Sequence, residues 1–154
     1  MDMEKLQPGL SAEMTTVVDE SLVVKHMGGD GVLSTPSMIG LMERAGIQAV
    51  QSVLPEGYTT VGFEVHVKHF APTAKGKKVT VRAELLEVDG RKLRFRVEAH
   101  DEDKKIGEGT HRRAAFSHRE QVPVRHFPPT PVPAETLGGY DYRVREGPRL
   151  LDVV

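Results

Sequence analysis

Residues 34–51 read STPSMIGLMERAGIQAVQ, and this stretch decides the fold. Thr35 suits a helix N-cap and Pro36 suits the first helical position, so we expect a helix to begin here. It should end before Pro55 and Gly57. Apolar residues recur with helical spacing at Met38, Leu41, Met42, Ala45 and Ala49. The polar side chains fall on one narrow stripe, made of Ser37, Arg44, Gln48 and Gln51. The pattern therefore predicts a helix that is largely buried.

The rest of the patterned sequence is typical of β-strands. A β-branched run at residues 15–24 predicts a first strand, and residues 59–69, TTVGFEVHVKH, alternate in the manner of a half-buried strand. One face of that strand is formed by Val61, Phe63, Val65, Val67 and His69. Similar alternation predicts strands at residues 78–88, 92–100 and 106–116. The second of these patterns slips phase at Leu86 and Val88, which indicates a bulge, and Asp89-Gly90 predicts a hairpin turn.

A buried helix and an antiparallel sheet with one apolar face have a simple common solution, in which the sheet wraps the helix. The sequence therefore predicts an α+β hotdog fold, with about five strands around one long central helix. We expect this domain to span residues 1–120. Residues 121–154 are rich in proline and lack a core pattern, which indicates an extension that is disordered or packed on a partner subunit.

Composition excludes several classes of function. A net charge of -1 and a pI near 6.7 provide no electrostatic basis for binding nucleic acid or an anionic membrane. The absence of cysteine excludes disulfides, thiolate zinc sites and cysteine nucleophiles. No histidine spacing matches a zinc motif, so we expect neither a metal nor a cofactor. The N-terminal residues do not resemble a signal peptide and no stretch reaches membrane-spanning length, which predicts a cytoplasmic protein.

Glu43 is the most informative single residue of the predicted helix. Its angular position lies on the apolar arc, about 100° from the centre of the polar stripe, so its carboxylate should point inward. Burying a carboxylate is costly unless the group is paired or used in chemistry. Glu43 is therefore a candidate general base, and the alternative is a structural ion pair or hydrogen-bonded core carboxylate.

Four other positions can carry chemistry. Thr35 at a helix N-terminus suits a cap, and the same place suits binding of a developing oxyanion. His69 should face the apolar side at its rim, where it is either a catalyst or a hydrogen-bonded core histidine. Gly62 marks a bulge or a close approach of the backbone to a ligand. Arg113, next to Arg112, is by default a solvated surface cation, although it could contact a carboxylate or phosphate. The other histidines of the strands and loops, among them His66, His100, His111 and His118, have weaker cases.

Three segments together resemble a known family. They are STPSMIGLMERAGIQA at residues 34–49, VGFEVHVKHFAPTAKG at residues 61–76 and VDGRKLRFRVEAHDEDKKIGEGTHRRA at residues 88–114. This combination resembles the fluoroacetyl-CoA thioesterase family of hotdog proteins from about Val32 to Phe116. The resemblance implies an enzyme that hydrolyses a small acyl-CoA thioester, working as a homodimer.

The resemblance also implies roles for particular residues. Thr35, Glu43 and His69 align with the family's catalytic residues, and Gly62 and Arg113 align with residues that contact the substrate. The aromatic lid that precedes the family's threonine has no counterpart in residues 27–33, which argues against specificity for the fluorinated acyl group. Two alternatives stay open, a non-catalytic acyl-CoA binding module and a hotdog enoyl-CoA hydratase or dehydratase. Glu43 could act either as a general base or as a nucleophile that forms an acyl-enzyme anhydride.

Overall fold

A computed structural model describes residues 4–119. Its elements, in chain order, are β1 (Ser11–Val17), a short 3-10 turn (Glu20–Leu22), β2 (Val23–Val24), β3 (Val32–Leu33), α1 (Thr35–Gln51), β4 (Tyr58–His69), β5 (Lys78–Asp89), β6 (Lys92–Asp101) and β7 (Lys105–Ser117). Five strands form one antiparallel sheet in the order β1-β5-β6-β7-β4, while β2 and β3 pair separately. The predicted extension at residues 121–154 lies outside the described residues.

The helix and one face of the sheet share a single apolar core. The buried face of α1 is formed by Met38, Leu41, Met42, Ala45, Gly46, Ala49 and Val50. It packs on β1, β4, β5 and β6, whose inward side chains include Val81, Leu85, Leu93, Phe95 and Val97. Each large apolar side chain buried in this way stabilises the fold by roughly 1.5–3 kcal/mol. The predicted architecture, one long helix against a five-stranded antiparallel sheet, is confirmed.

The bounds of β1 and the N-cap of α1 differ from the sequence-based expectation. β1 is Ser11–Val17 rather than residues 15–24, because Asp19 accepts a hydrogen bond from the Ser21 backbone N–H (2.9 Å) and turns the chain. The N-cap of α1 is Ser34 rather than Thr35, since the Ser34 hydroxyl accepts from the Ser37 N–H at 3.1 Å. Thr35 is thereby released from capping and becomes the first residue of the helix.

β4 contains a bulge, so its residues are divided between the two faces of the sheet differently from the prediction. The register with β7 shifts between Gly62 and Glu64, as the glycine at position 62 indicated. Val65, Val67 and His69 stay on one face, but the extra residue moves Val61 and Phe63 out of phase with them. The second predicted bulge is also present, as a register shift between Leu85 and Glu87.

Candidate active site

Thr35 and His69 are in direct contact. Thr35 begins α1 and His69 ends β4, and the Thr35 hydroxyl and His69 Nδ1 share a hydrogen bond of 2.9 Å. The pair borders a cleft of about 430 Å³, which is also lined by Val32, Leu33, Ser34, Phe70, Ala71 and Pro72. A helix N-terminus carries partial positive charge and unpaired N–H groups, so this cleft suits an oxygen that becomes negatively charged.

The loop after β4 fixes this pair in place. Its Thr73 carbonyl accepts a hydrogen bond from the Leu33 N–H (2.8 Å), one residue before the helix cap. The Thr73 hydroxyl donates to the Asp101 carboxylate at 3.0 Å. Burial alone would raise the pKa of Asp101, but its hydrogen bonds, including those from Lys104, the backbone N–H of Asp103 and Thr73, hold that pKa well below its usual range. Through Thr73, the start of α1 is therefore linked to the end of β6.

The environment of His69 favours its neutral form. Nε2 of His69 is buried and has no hydrogen-bond partner in the described part of the chain. Burial lowers the pKa of His69 below its ordinary value, and a hydrogen bond with the Ala71 backbone partly opposes that shift. A neutral imidazole beside a hydroxyl can accept its proton or orient it.

Glu43 lies in a second cluster, between α1 and the β4–β7 pair. Its Oε1 is 3.6 Å from Nε2 of His111, too far for a hydrogen bond. A Cβ at Gly62 would lie 2.8 Å from that Nε2, 3.0 Å from Glu43 Oε1 and 3.2 Å from Nη1 of Arg113. Only a residue without a side chain allows these three groups to converge, so Gly62 is a close approach as well as a bulge.

Arg113 is buried, which corrects the default expectation of a solvated surface cation. Its exposed fraction is 3%, and it donates to the Thr60 hydroxyl at 2.8 Å and the Thr60 carbonyl at 2.7 Å. Burial lowers the pKa of Arg113, and the negative charge of Glu43 opposes that shift. Arg112 points to the other face, where its guanidinium lies 5.3 Å from the Phe63 ring centre.

The two clusters are separate within one chain. Glu43 follows Thr35 by eight positions along the helix, which corresponds to a rise of about 12 Å along the axis. The Glu43 side chain faces the β4–β7 pair but retains 41% exposure, so the predicted burial of its carboxylate is only partial. The reason is that β4 is the last strand of the sheet, so no further strand of the described chain covers that flank of the helix.

Comparison with known proteins identifies the family. Residues 6–119 match the family described as fluoroacetyl-CoA-specific thioesterase, FlK. The fluoroacetyl-CoA thioesterase of Streptantibioticus cattleyicolor is 43% identical over 101 residues, which cover 66% of this chain and 72% of that protein. The chain belongs to the FlK family of thioesterases.

Solved structures agree with this assignment. A structure of FlK superposes with a TM-score of 0.68 at 36% identity, covering 73% of this chain and 90% of that one. A hot-dog-like protein of Thermanaerovibrio acidaminovorans superposes with a TM-score of 0.69 at 25% identity, covering 76% and 89%. The predicted family, the hotdog fold and the prediction of an acyl-CoA thioesterase are confirmed. The residue roles, the homodimer and the cytoplasmic location stay predictions.

No group of three or more metal-binding side chains is present among residues 4–119. In the same range, no helix is long and apolar enough to cross a membrane.

His111 had a weaker case in the sequence than His69, yet it is 1% exposed and lies 3.6 Å from Glu43. The alternation of β7 contains the signal, because His111 and Arg113 share the inward face with Ala115. Two polar residues on the buried face of a strand mark a site that needs explanation.

Proposed function

We propose that the chain hydrolyses a small, non-fluorinated acyl-CoA with Thr35, His69 and Glu43 as its catalytic residues. The observation that carries this proposal is the Thr35–His69 hydrogen bond at the N-terminus of α1, beside an open cleft. The thioester carbonyl lies at this helix end, where backbone N–H groups and the Thr35 hydroxyl stabilise the oxyanion. His69 orients the Thr35 hydroxyl, and CoA leaves as a thiolate that takes up a proton from solvent.

Glu43 supplies the basic group of the reaction. As a general base it takes a proton from water while the water oxygen forms a bond to the acyl carbon, and the carbon–sulfur bond then breaks to release CoA. As a nucleophile its own oxygen attacks, CoA leaves, and water hydrolyses the resulting anhydride. Both routes yield one acid and one thiol for each water consumed. Partial exposure of the Glu43 side chain suits contact with a substrate.

Gly62 and Arg113 are proposed to contact the substrate. Gly62 is exposed at the bulge and leaves space beside the carboxylate. Arg113 is held rigidly by its two hydrogen bonds to Thr60, while its Nη1 is directed towards Gly62. This cation can bind a carbonyl or carboxylate oxygen of the acyl group.

We propose that a homodimer joins the two clusters. The outer edge of β4 and the loop after it expose large apolar side chains, namely Val61, Phe63, Val65 and Phe70, each 38–52% exposed. A twofold axis at His66, near the middle of this set, would pair β4 with the same strand of a second copy and bury these residues against it. Because Gly62 and Phe63 share one register position at the bulge, antiparallel pairing about that axis would put Gly62 opposite the partner's His69. Glu43, which lies beside Gly62, would then approach the partner's Thr35–His69 pair.

The acyl group is proposed to be small and unfluorinated. FlK has been solved as a variant in complex with fluoroacetate and CoA. In this chain, residues 27–33 provide no aromatic side chain, and the cleft is lined mainly by aliphatic residues, prolines and one phenylalanine. An aromatic lid is therefore lacking, although the cleft volume of about 430 Å³ accommodates a short acyl chain.

A thiol-release assay tests the activity and its selectivity. Purified protein is incubated with acetyl, propionyl, branched, aryl, crotonyl and fluoroacetyl esters of CoA, and free thiol and enoyl absorbance are followed together. We expect thiol release from short unfluorinated esters at least as fast as from the fluoroacetyl ester. Bound ester without thiol release would instead indicate a binding module, and loss of enoyl absorbance without thiol would indicate a hydratase.

A further inference from the structure

His111 is a buried histidine that the mechanism above leaves unused. It lies on the inward face of β7, opposite Val65 on β4 and Phe95 on β6. Although it is 1% exposed, neither ring nitrogen has a hydrogen-bond partner in the described part of the chain. An unpaired buried polar group costs free energy, so its retention at this place calls for a function.

Gly62 makes room for the imidazole, and Gly46 marks where the ring meets the helix. A Cβ at Gly62 would collide with Nε2 at 2.8 Å, and a Cβ at Gly46 on α1 would lie 3.7 Å from Nδ1. The ring therefore fits in a slot between helix and strand, with Nδ1 towards the helix backbone and Nε2 towards Glu43. This geometry fixes which nitrogen faces the carboxylate.

Burial, together with the nearby charge of Arg113, keeps the His111 ring neutral. Glu43 on α1 and Arg113 on β7 are its charged neighbours, while β4 and β6 contribute Gly62, Val65 and Phe95. Burial, reinforced by the positive charge of Arg113, lowers the pKa of His111 to about 4. At neutral pH the ring therefore has one N–H donor and one lone pair.

We infer that His111 is a positioning residue for Glu43, with its proton on Nε2 donated to the Glu43 carboxylate in the substrate-bound enzyme. The present separation of 3.6 Å needs to close by about 0.6 Å to reach ordinary hydrogen-bond length. A neutral donor can fix the carboxylate in one rotamer without adding the positive charge that makes a carboxylate a weaker base. This inference rests on the proposed role of Glu43.

Replacement of His111 by two different side chains tests the inference. The amide nitrogen of His111→Gln reaches the position of Nε2, whereas His111→Leu fills the slot without a donor. We expect His111→Leu to lower kcat on the order of 100-fold with KM changed less, because a misplaced catalytic group costs about that much. His111→Gln should recover most of this loss. The leucine variant should keep or raise the unfolding temperature, since no existing hydrogen bond is removed.

Two further measurements separate a positioning role from a structural one. Nitrogen NMR of the wild-type protein should show the neutral tautomer with its proton on Nε2 at neutral pH. His100→Leu, on the exposed face of β6, is the matched control and should retain wild-type kinetics. Wild-type kcat in His111→Leu, equal loss in both His111 variants, or a proton on Nδ1 would overturn the inference.

The Glu43→Gln variant, assayed in parallel, separates a failure of the His111 inference from a failure of the proposed role of Glu43. If Glu43→Gln is inactive while His111→Leu has wild-type kcat, only the role of His111 is wrong. If Glu43→Gln retains full activity, the proposed role of Glu43 is wrong and the inference for His111 is overturned with it.

Discussion

The Glu43→Gln variant is expected to release thiol about 10²- to 10⁴-fold more slowly than the wild type, the range typical of a lost general base. The amide has nearly the shape of the carboxylate but can neither accept a proton from water nor attack the thioester efficiently. The fold should be unaffected, because the side chain is 41% exposed and its approach to His111 is too long for a hydrogen bond. The measurement is kcat on the best ester of the panel, with thermal unfolding recorded on the same samples.

Glu87→Gln is the matched control for this charge change. Glu87 lies exposed on β5, where it forms an ion pair with Arg94 at 3.0 Å, far from both clusters in the sheet order. Exposed ion pairs contribute little to stability, so this variant should match the wild type in rate and in unfolding temperature. Undiminished turnover by Glu43→Gln would eliminate Glu43 as the basic group.

The His69→Ala variant is expected to lose about 10²- to 10³-fold in kcat, since it removes the group that orients the Thr35 hydroxyl. In the wild type, burial lowers the pKa of His69, so the active neutral imidazole persists below its ordinary pKa of about 6.5. The rate should therefore be constant around neutral pH and fall only as acid protonates the ring. A pH profile of kcat/KM for the wild type measures this directly.

His100→Ala is the matched control for His69→Ala. His100→Ala removes an exposed imidazole from β6 and should leave the rate and its pH dependence unchanged. A wild-type rate that rises as the pH falls through the range of His69 protonation would contradict a neutral His69. Thr35→Val should produce a loss similar to that of His69→Ala if the two residues act as a pair.

Much of the fold was predictable because its local and global signals agree. The helical spacing from Met38 to Ala49, the alternation of β5 and β6 and the glycine at position 62 each specify their element or bulge without reference to distant residues. The burial of the helix stripe followed directly from that spacing. Thr35 and His69 were both identified, and the structure brings them into contact.

The remaining features depend on tertiary geometry that one sequence does not encode locally. Ser34 and Thr35 are both good caps, and the one used is decided by the extended backbone at Ser34. The exposure of Glu43 depends on its lying beneath the last strand of the sheet, and strand order is not readable from alternation. The burial of Arg113 depends on the hydrogen bonds that Thr60 provides from the neighbouring strand.

A mixed dimer tests the central claim, that Glu43 of one chain acts with the Thr35–His69 pair of another. Glu43→Gln and His69→Ala chains are co-expressed with different tags, and dimers that contain one of each are purified. One of their two sites then combines an intact Glu43 with the partner's intact His69, so we predict about half the wild-type activity, although neither parent is active. A pure mixed dimer with no more activity than its parents would contradict the shared site.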